Sequence, residues 1–93
     1  MATLSNPISA NDDYVPSFPV YAGKRYVFTV DGTFDTSTIA LQSDTGSGFQ
    51  TITGASFTAY GSIVWTADSQ KVNINVSSVG ASTSVYVTMV EVQ

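Results

Sequence analysis

Histidine and cysteine are both missing from this chain of 93 residues. Without cysteine there are no disulfides and no thiolate metal sites, and without histidine the commonest general base and metal ligand is gone. A Ser or Thr nucleophile therefore has no imidazole to activate it. A Ser–Lys pair using Lys24 or Lys71 stays open, although no signature supports it. Charge is scarce as well. Lys24, Arg25 and Lys71 stand against seven carboxylates for a net charge of −4, and charged residues make up 11% of the chain, against about 25% in ordinary soluble domains. Phosphate binding needs clustered cations, so this balance argues against nucleic acid and against an anionic membrane surface. The adjacent pair Lys24-Arg25 reads as a solvated strand edge.

Three further features are absent. No run is long enough to span a bilayer, and residues 1–10 lack both the basic and the continuous apolar region of a secretory signal, so synthesis in a cytoplasm is expected. No stretch shows a sustained helical period with caps. What is present is alternation. Tyr26, Phe28 and Val30 point one way against Arg25, Val27 and Thr29, and Val72, Ile74 and Val76 repeat the pattern against Asn73, Asn75 and Ser77.

Strands are expected at 18–21, 24–30, 38–43, 49–53, 62–67, 71–77 and 84–92, with a weak one at 56–59. Turn material separates them: Ala22-Gly23, Asp31-Gly32, the run from Asp44 to Gly48, Tyr60-Gly61, Asp68-Ser69-Gln70 and Gly80-Ala81-Ser82. Seven to eight short strands without crossover helices predict an all-β fold, a compact antiparallel β-sandwich of jelly-roll or Ig-like type. Its expected core is Tyr26, Phe28, Val30, Ile39, Leu41, Ile63, Trp65, Val72, Ile74, Val76, Val85, Val87 and Met89. The last strand carries apolar residues on both faces, Tyr86, Val90 and Val92 being on the second, as in a central strand or one covered by a partner.

Residues 1–16 break the rhythm. Asn6-Pro7, Asn11-Asp12-Asp13 and Val15-Pro16 read as an extended N-terminal arm ahead of a single domain over 17–93. Leu4, Ile8, Tyr14 and Val15 are apolar enough to need cover, either on their own domain or on a neighbouring subunit. With 43% hydrophobic residues, few charges and a small core, the chain is expected to hide part of its surface in an assembly.

The candidate chemical sites all have plainer readings. Asp31, Asp35 and Asp44 match no calcium loop and read as turn formers. Asp12-Asp13 are sequence neighbours that do not converge on a substrate. Gly46-Ser47-Gly48 lacks the lysine and helix of a phosphate cradle, and the sequon Asn75-Val76-Ser77 lies inside a strand. Trp65 with Tyr60, Tyr86 or Phe57 offers a sugar platform, yet alternation aligns it with Ile63 and Ala67 and favours a core role. No catalytic, cofactor-binding or metal-binding residue is expected.

The run from Gly23 to Phe34 (Gly-Lys-Arg-Tyr-Val-Phe-Thr-Val-Asp-Gly-Thr-Phe), then Thr38-Ile39-Ala40-Leu41-Gln42-Ser43, Phe57-Thr58-Ala59-Tyr60-Gly61 and a Val-rich last strand, resembles small β-sandwich virion structural proteins of tailed bacteriophages. The resemblance covers about 23–92 and not the first sixteen residues. It implies a capsid decoration (cement) protein in the virion, and it carries over no catalytic residue.

The resulting expectation is a non-enzymatic protein that binds the major capsid protein lattice, as a homo-oligomer or symmetric assembly, without cofactor, nucleic acid or membrane. Leu4, Pro7, Ile8 and Tyr14 are its candidate partner-binding residues, acting by hydrophobic docking and strand addition. The alternative is a carbohydrate-binding or fibre/tail-associated β-sandwich module, for which a solvent-exposed Trp65 is the sign.

Overall fold

A computed structural model describes residues 2–4, 7–16 and 20–92, all in strands, turns and loops with no helix among them. The strands are β1 (Ala2–Thr3), β2 (Asp12–Val15), β3 (Arg25–Thr33), β4 (Thr38–Asp44), β5 (Phe49–Phe57), β6 (Gly61–Thr66), β7 (Val72–Ser77) and β8 (Ser84–Glu91). Five form one sheet in the order β1-β2-β7-β4-β5, and three form a second in the order β6-β3-β8. Every pairing is antiparallel except β1 with β2.

Alternation decides which side of each strand is buried. Tyr26, Phe28 and Val30 of β3 and Val85, Val87 and Met89 of β8 meet Ile39 and Leu41 of β4 and Val72, Ile74 and Val76 of β7 in one apolar cluster. The two sheets thus share a single core, consistent with a β-sandwich. Tyr26 and Trp65 are ring neighbours inside it, 5.2 Å between centroids, and Phe28 lies 6.0 Å from Phe57. Ile63 is half-buried rather than enclosed, packed against the cluster from its margin.

The N-terminal segment is not an arm. Β2 is hydrogen-bonded between β1 and β7, with Tyr14 opposite Ile74. Leu4 N–H donates to the Val15 carbonyl at 2.8 Å, and Ile8 forms an antiparallel bridge with Val85. Leu4 and Ile8 are buried in the core cluster and Tyr14 packs against it. The physical reason is pairing demand: without 1–16 the edges of β7 and β8 would stand open, and the chain's own start satisfies them. Of the expected partner-binding residues, Leu4 and Ile8 are therefore enclosed, Tyr14 is half-buried and Pro7 alone is exposed.

Two strand expectations also change. In 18–21, Phe18 and Pro19 lie outside the described residues, while Val20 and Tyr21 are not in a strand; the Tyr21 N–H instead donates to the Tyr26 hydroxyl at 2.8 Å. There is no separate strand at 56–59, because β5 continues to Phe57 and then bends. Β5 is longer than expected since its pairing with β4 jumps from Gln42–Thr51 to Ala40–Ser56, a bulge that includes Gly54 at φ +82°.

The bridge at Ile8 changes how the pairing reads. Treated as an additional strand ahead of β2, it gives the order Ile8-β8-β3-β6 facing β2-β7-β4-β5. First pairs with last, β2 with β7, β3 with β6 and β4 with β5. That is a chain doubled into one long hairpin and then rolled, the rolling adding the β8–β3 and β7–β4 pairs.

Candidate functional site

Three surface regions bear on function. The first is the outer face of the three-stranded sheet. Val27 of β3 is in register with Val64 of β6 on one side and Val90 of β8 on the other, so three valines form a row across the sheet. Val64 is 49% exposed and Val90 64%; Tyr86, on the same face two rows away in register with Asp31, is 51% exposed. Thr29, flanked by Ser62 and Thr88, forms the next row. This is the apolar second face of the last strand that the sequence leaves without a partner, and no other layer of the described chain covers it.

The second is an amide ladder on the outer face of the five-stranded sheet. Asn73 Nδ2 donates to Asp13 Oδ1 at 3.0 Å and to Gln42 Oε1 at 2.8 Å, Asn75 Nδ2 donates to Asp13 Oδ1 at 2.9 Å, and Gln42 Nε2 donates to Thr51 Oγ1 at 3.3 Å. The Asn75 amide first and the Asn73 amide second hold the Asp13 carboxyl below its ordinary value. Asn73 is buried, with its Oδ1 left unpaired. The ladder ties β2 to β7 and β4, which is a structural use of Asp13; its neighbour Asp12 only accepts from the N–H of Asp13.

The third is a shallow cleft of about 370 Å³ lined by Ser43, Gln50, Thr53, Trp65, Thr66 and Asp68 among others. Trp65 is 7% exposed and its indole Nε1 has no acceptor. It contributes to the wall of the cleft but presents no open ring face for a sugar to stack on.

The carboxylates weighed as calcium ligands are engaged by backbone N–H groups, Asp35 and Asp44 at turns and Asp31 within β3, where the sequence predicts a turn at Asp31-Gly32. Asp31 Oδ1 accepts from the Gly32 N–H at 2.8 Å, Asp35 Oδ2 from the Ser82 N–H at 2.7 Å, and Asp44 Oδ1 from the N–H groups of Gly46 and Gly48 at 2.8 and 3.1 Å. Among the described residues no three acidic side chains gather where a metal ion would sit. Asn75, the sequon residue, is engaged in the ladder.

Comparison with protein-family models, with curated protein sequences and with solved structures finds no match to this chain.

Proposed function

We propose that this chain is a non-enzymatic structural protein of a virion, a capsid decoration (cement) protein that binds the major capsid protein lattice. The observation that carries the reading is the uncovered row of Val64, Val27 and Val90, with exposed Tyr86 on the same face beyond the Ser62-Thr29-Thr88 row. On a chain with so few charged residues, an apolar face of this kind is best accounted for by a protein partner. The docking surface is thus the outer face of the three-stranded sheet and not the N-terminal segment.

The pairing order supports the jelly roll over the Ig-like form of the sandwich, because a doubled hairpin rolled on itself is the jelly roll's wiring. That architecture is used by viral capsid domains and also by lectins, so it agrees with the reading without selecting it. The resemblance to phage virion proteins over 23–92 adds to it. The carbohydrate-binding or fibre-associated alternative keeps one observation, the hydroxyl-lined cleft, and has less support because Trp65 is enclosed.

The test is to establish whether a neighbouring gene encodes a major capsid protein and to measure co-sedimentation with empty shells assembled from it. The wild type should saturate the shells at a fixed ratio to capsid subunits, and Val90→Lys should weaken binding by about tenfold or more, as expected for charge placed in an apolar interface. Failure of the wild type to sediment with shells overturns the proposal.

A further inference from the structure

Among the described residues, the outer edge of β6 is the least defended strand edge. Ala67 N–H donates to the Lys24 carbonyl, and the Ala67 carbonyl accepts from Gly23 N–H. Antiparallel alternation therefore turns the backbone groups of Trp65, Ile63 and Gly61 toward β3 and those of Ser62, Val64 and Thr66 away from it. No strand pairs with β6 on that outer side among the described residues. The other edges are blunted. Β8 is met at Val85 by Ile8, β5 is bent by its bulge, and β1 is two residues long. Β6 has none of the usual protections: Gly61–Thr66 reads Gly-Ser-Ile-Val-Trp-Thr, with no charge, no proline and an unbroken register on β3.

We propose that a second copy of this chain pairs with this edge, β6 against β6 antiparallel about a two-fold axis at Val64. The register is self-complementary. Because the outward-facing backbone groups belong to residues 62, 64 and 66, a two-fold at Val64 sets Val64 opposite its own copy and Ser62 opposite the second Thr66, each pair exchanging hydrogen bonds. Any register shifted by one residue would oppose groups that point into their own sheets. The side chains agree with the backbone. Val64 is on the outer face, so the valine row of one copy continues into the row of the other, Val90-Val27-Val64 meeting Val64-Val27-Val90 across six strands. Charges do not oppose the pairing: Arg25, level with Thr66, has the second copy's Ser62 and then Thr29 in line with it. The result doubles the apolar face assigned above to capsid binding, yet the pairing rests on the β6 edge alone and does not require that reading.

Sedimentation velocity over a range of concentrations, together with two single-cysteine variants of the full chain, tests the inference. The wild type should shift from monomer to dimer as concentration rises, and Val64→Lys should remain monomeric while Val90→Lys still dimerises. Paired residues in a hydrogen-bonded antiparallel register lie about 5.5 Å apart at Cα, inside the span of about 4.4–6.8 Å that a disulfide bridges. Since the chain has no cysteine of its own, Val64→Cys should oxidise to a covalent dimer about tenfold faster than Val90→Cys, which is more exposed but sits on the far strand. A wild type that stays monomeric, a dimer that survives Val64→Lys, or equal oxidation of the two cysteine variants overturns the inference. Shell binding by a monomeric wild type would leave the capsid reading intact without this pairing, and dimerisation without shell binding would do the reverse.

Discussion

Ile8 and Val85 exchange two backbone hydrogen bonds, Ile8 N–H to the Val85 carbonyl at 2.7 Å and Val85 N–H to the Ile8 carbonyl at 3.0 Å, and both side chains are fully enclosed. The start of the chain is thereby built into the edge of β8 and into the core. Ile8→Ala should destabilise the protein by about 2–5 kcal/mol, the usual loss for truncating an enclosed aliphatic side chain. Deleting residues 1–14 removes Ile8 and most of β2 together, and should abolish the cooperative unfolding transition. A deletion variant with an unchanged denaturation midpoint would refute this placement.

Trp65 is enclosed beside Tyr26. Trp65→Ala should cost about 3–5 kcal/mol in chemical denaturation, and the fluorescence of the folded wild type should be blue-shifted and resist quenching by iodide. Ready quenching would revive the aromatic platform.

The amide ladder makes stability depend on pH through Asp13. Hydrogen bonds from Asn75 and Asn73 hold its folded-state carboxyl below the ordinary 3.8. A carboxyl depressed in the folded state contributes stability above its unfolded value and loses it as pH falls through the folded value. Asp13→Asn should therefore melt below the wild type at neutral pH, and the gap should narrow as pH falls below 3.8. A gap of constant size across that range would show that the carboxylate charge plays no part.

Gly32, at φ +117° within β3, passes so close to β8 that an added Cβ would collide with the Ser84 carbonyl oxygen. Both the backbone angle and the contact exclude a side chain. Gly32→Ala should lose about 1–3 kcal/mol in thermal or chemical unfolding, and a neutral result would mean that the β3–β8 contact at Ser84 is looser than its geometry.

Where the strands are regular, the sequence could be read directly. Tyr26, Phe28 and Val30, and Val72, Ile74 and Val76, are enclosed as their alternation requires. Asn73 illustrates the limit of that reading. Its outward direction follows from the same alternation, but its burial comes from Asp13 and Gln42, distant in sequence and brought together only by pairing. The N-terminal segment was illegible for a related reason. Prolines at 7 and 16 and the run Asn11-Asp12-Asp13 hide a strand of four residues, and nothing local to Ile8 names Val85 as its partner. The sequence pattern stops at 53 while β5 runs on to Phe57, because the bulge at Gly54 replaces strict alternation with an irregular burial pattern. The outer valine row was partly visible, as the two-sided apolar pattern of 84–92, while its extension to Val64 needed the register of β3.

The doubled-hairpin wiring sets a clock on biosynthesis. Ile8 waits for Val85 and β2 for β7, so of these strands the ones synthesised first are those whose partners are synthesised last. Non-local pairing of this kind slows folding, because the intervening chain must be closed before the contacts that stabilise it can form. The segment from Gly61 to Thr66, uncharged and rich in strand formers, is exposed throughout that delay. Nascent chains crowded on one messenger would then meet through that segment before any of them is complete, making aggregation during overproduction sensitive to translation rate and temperature.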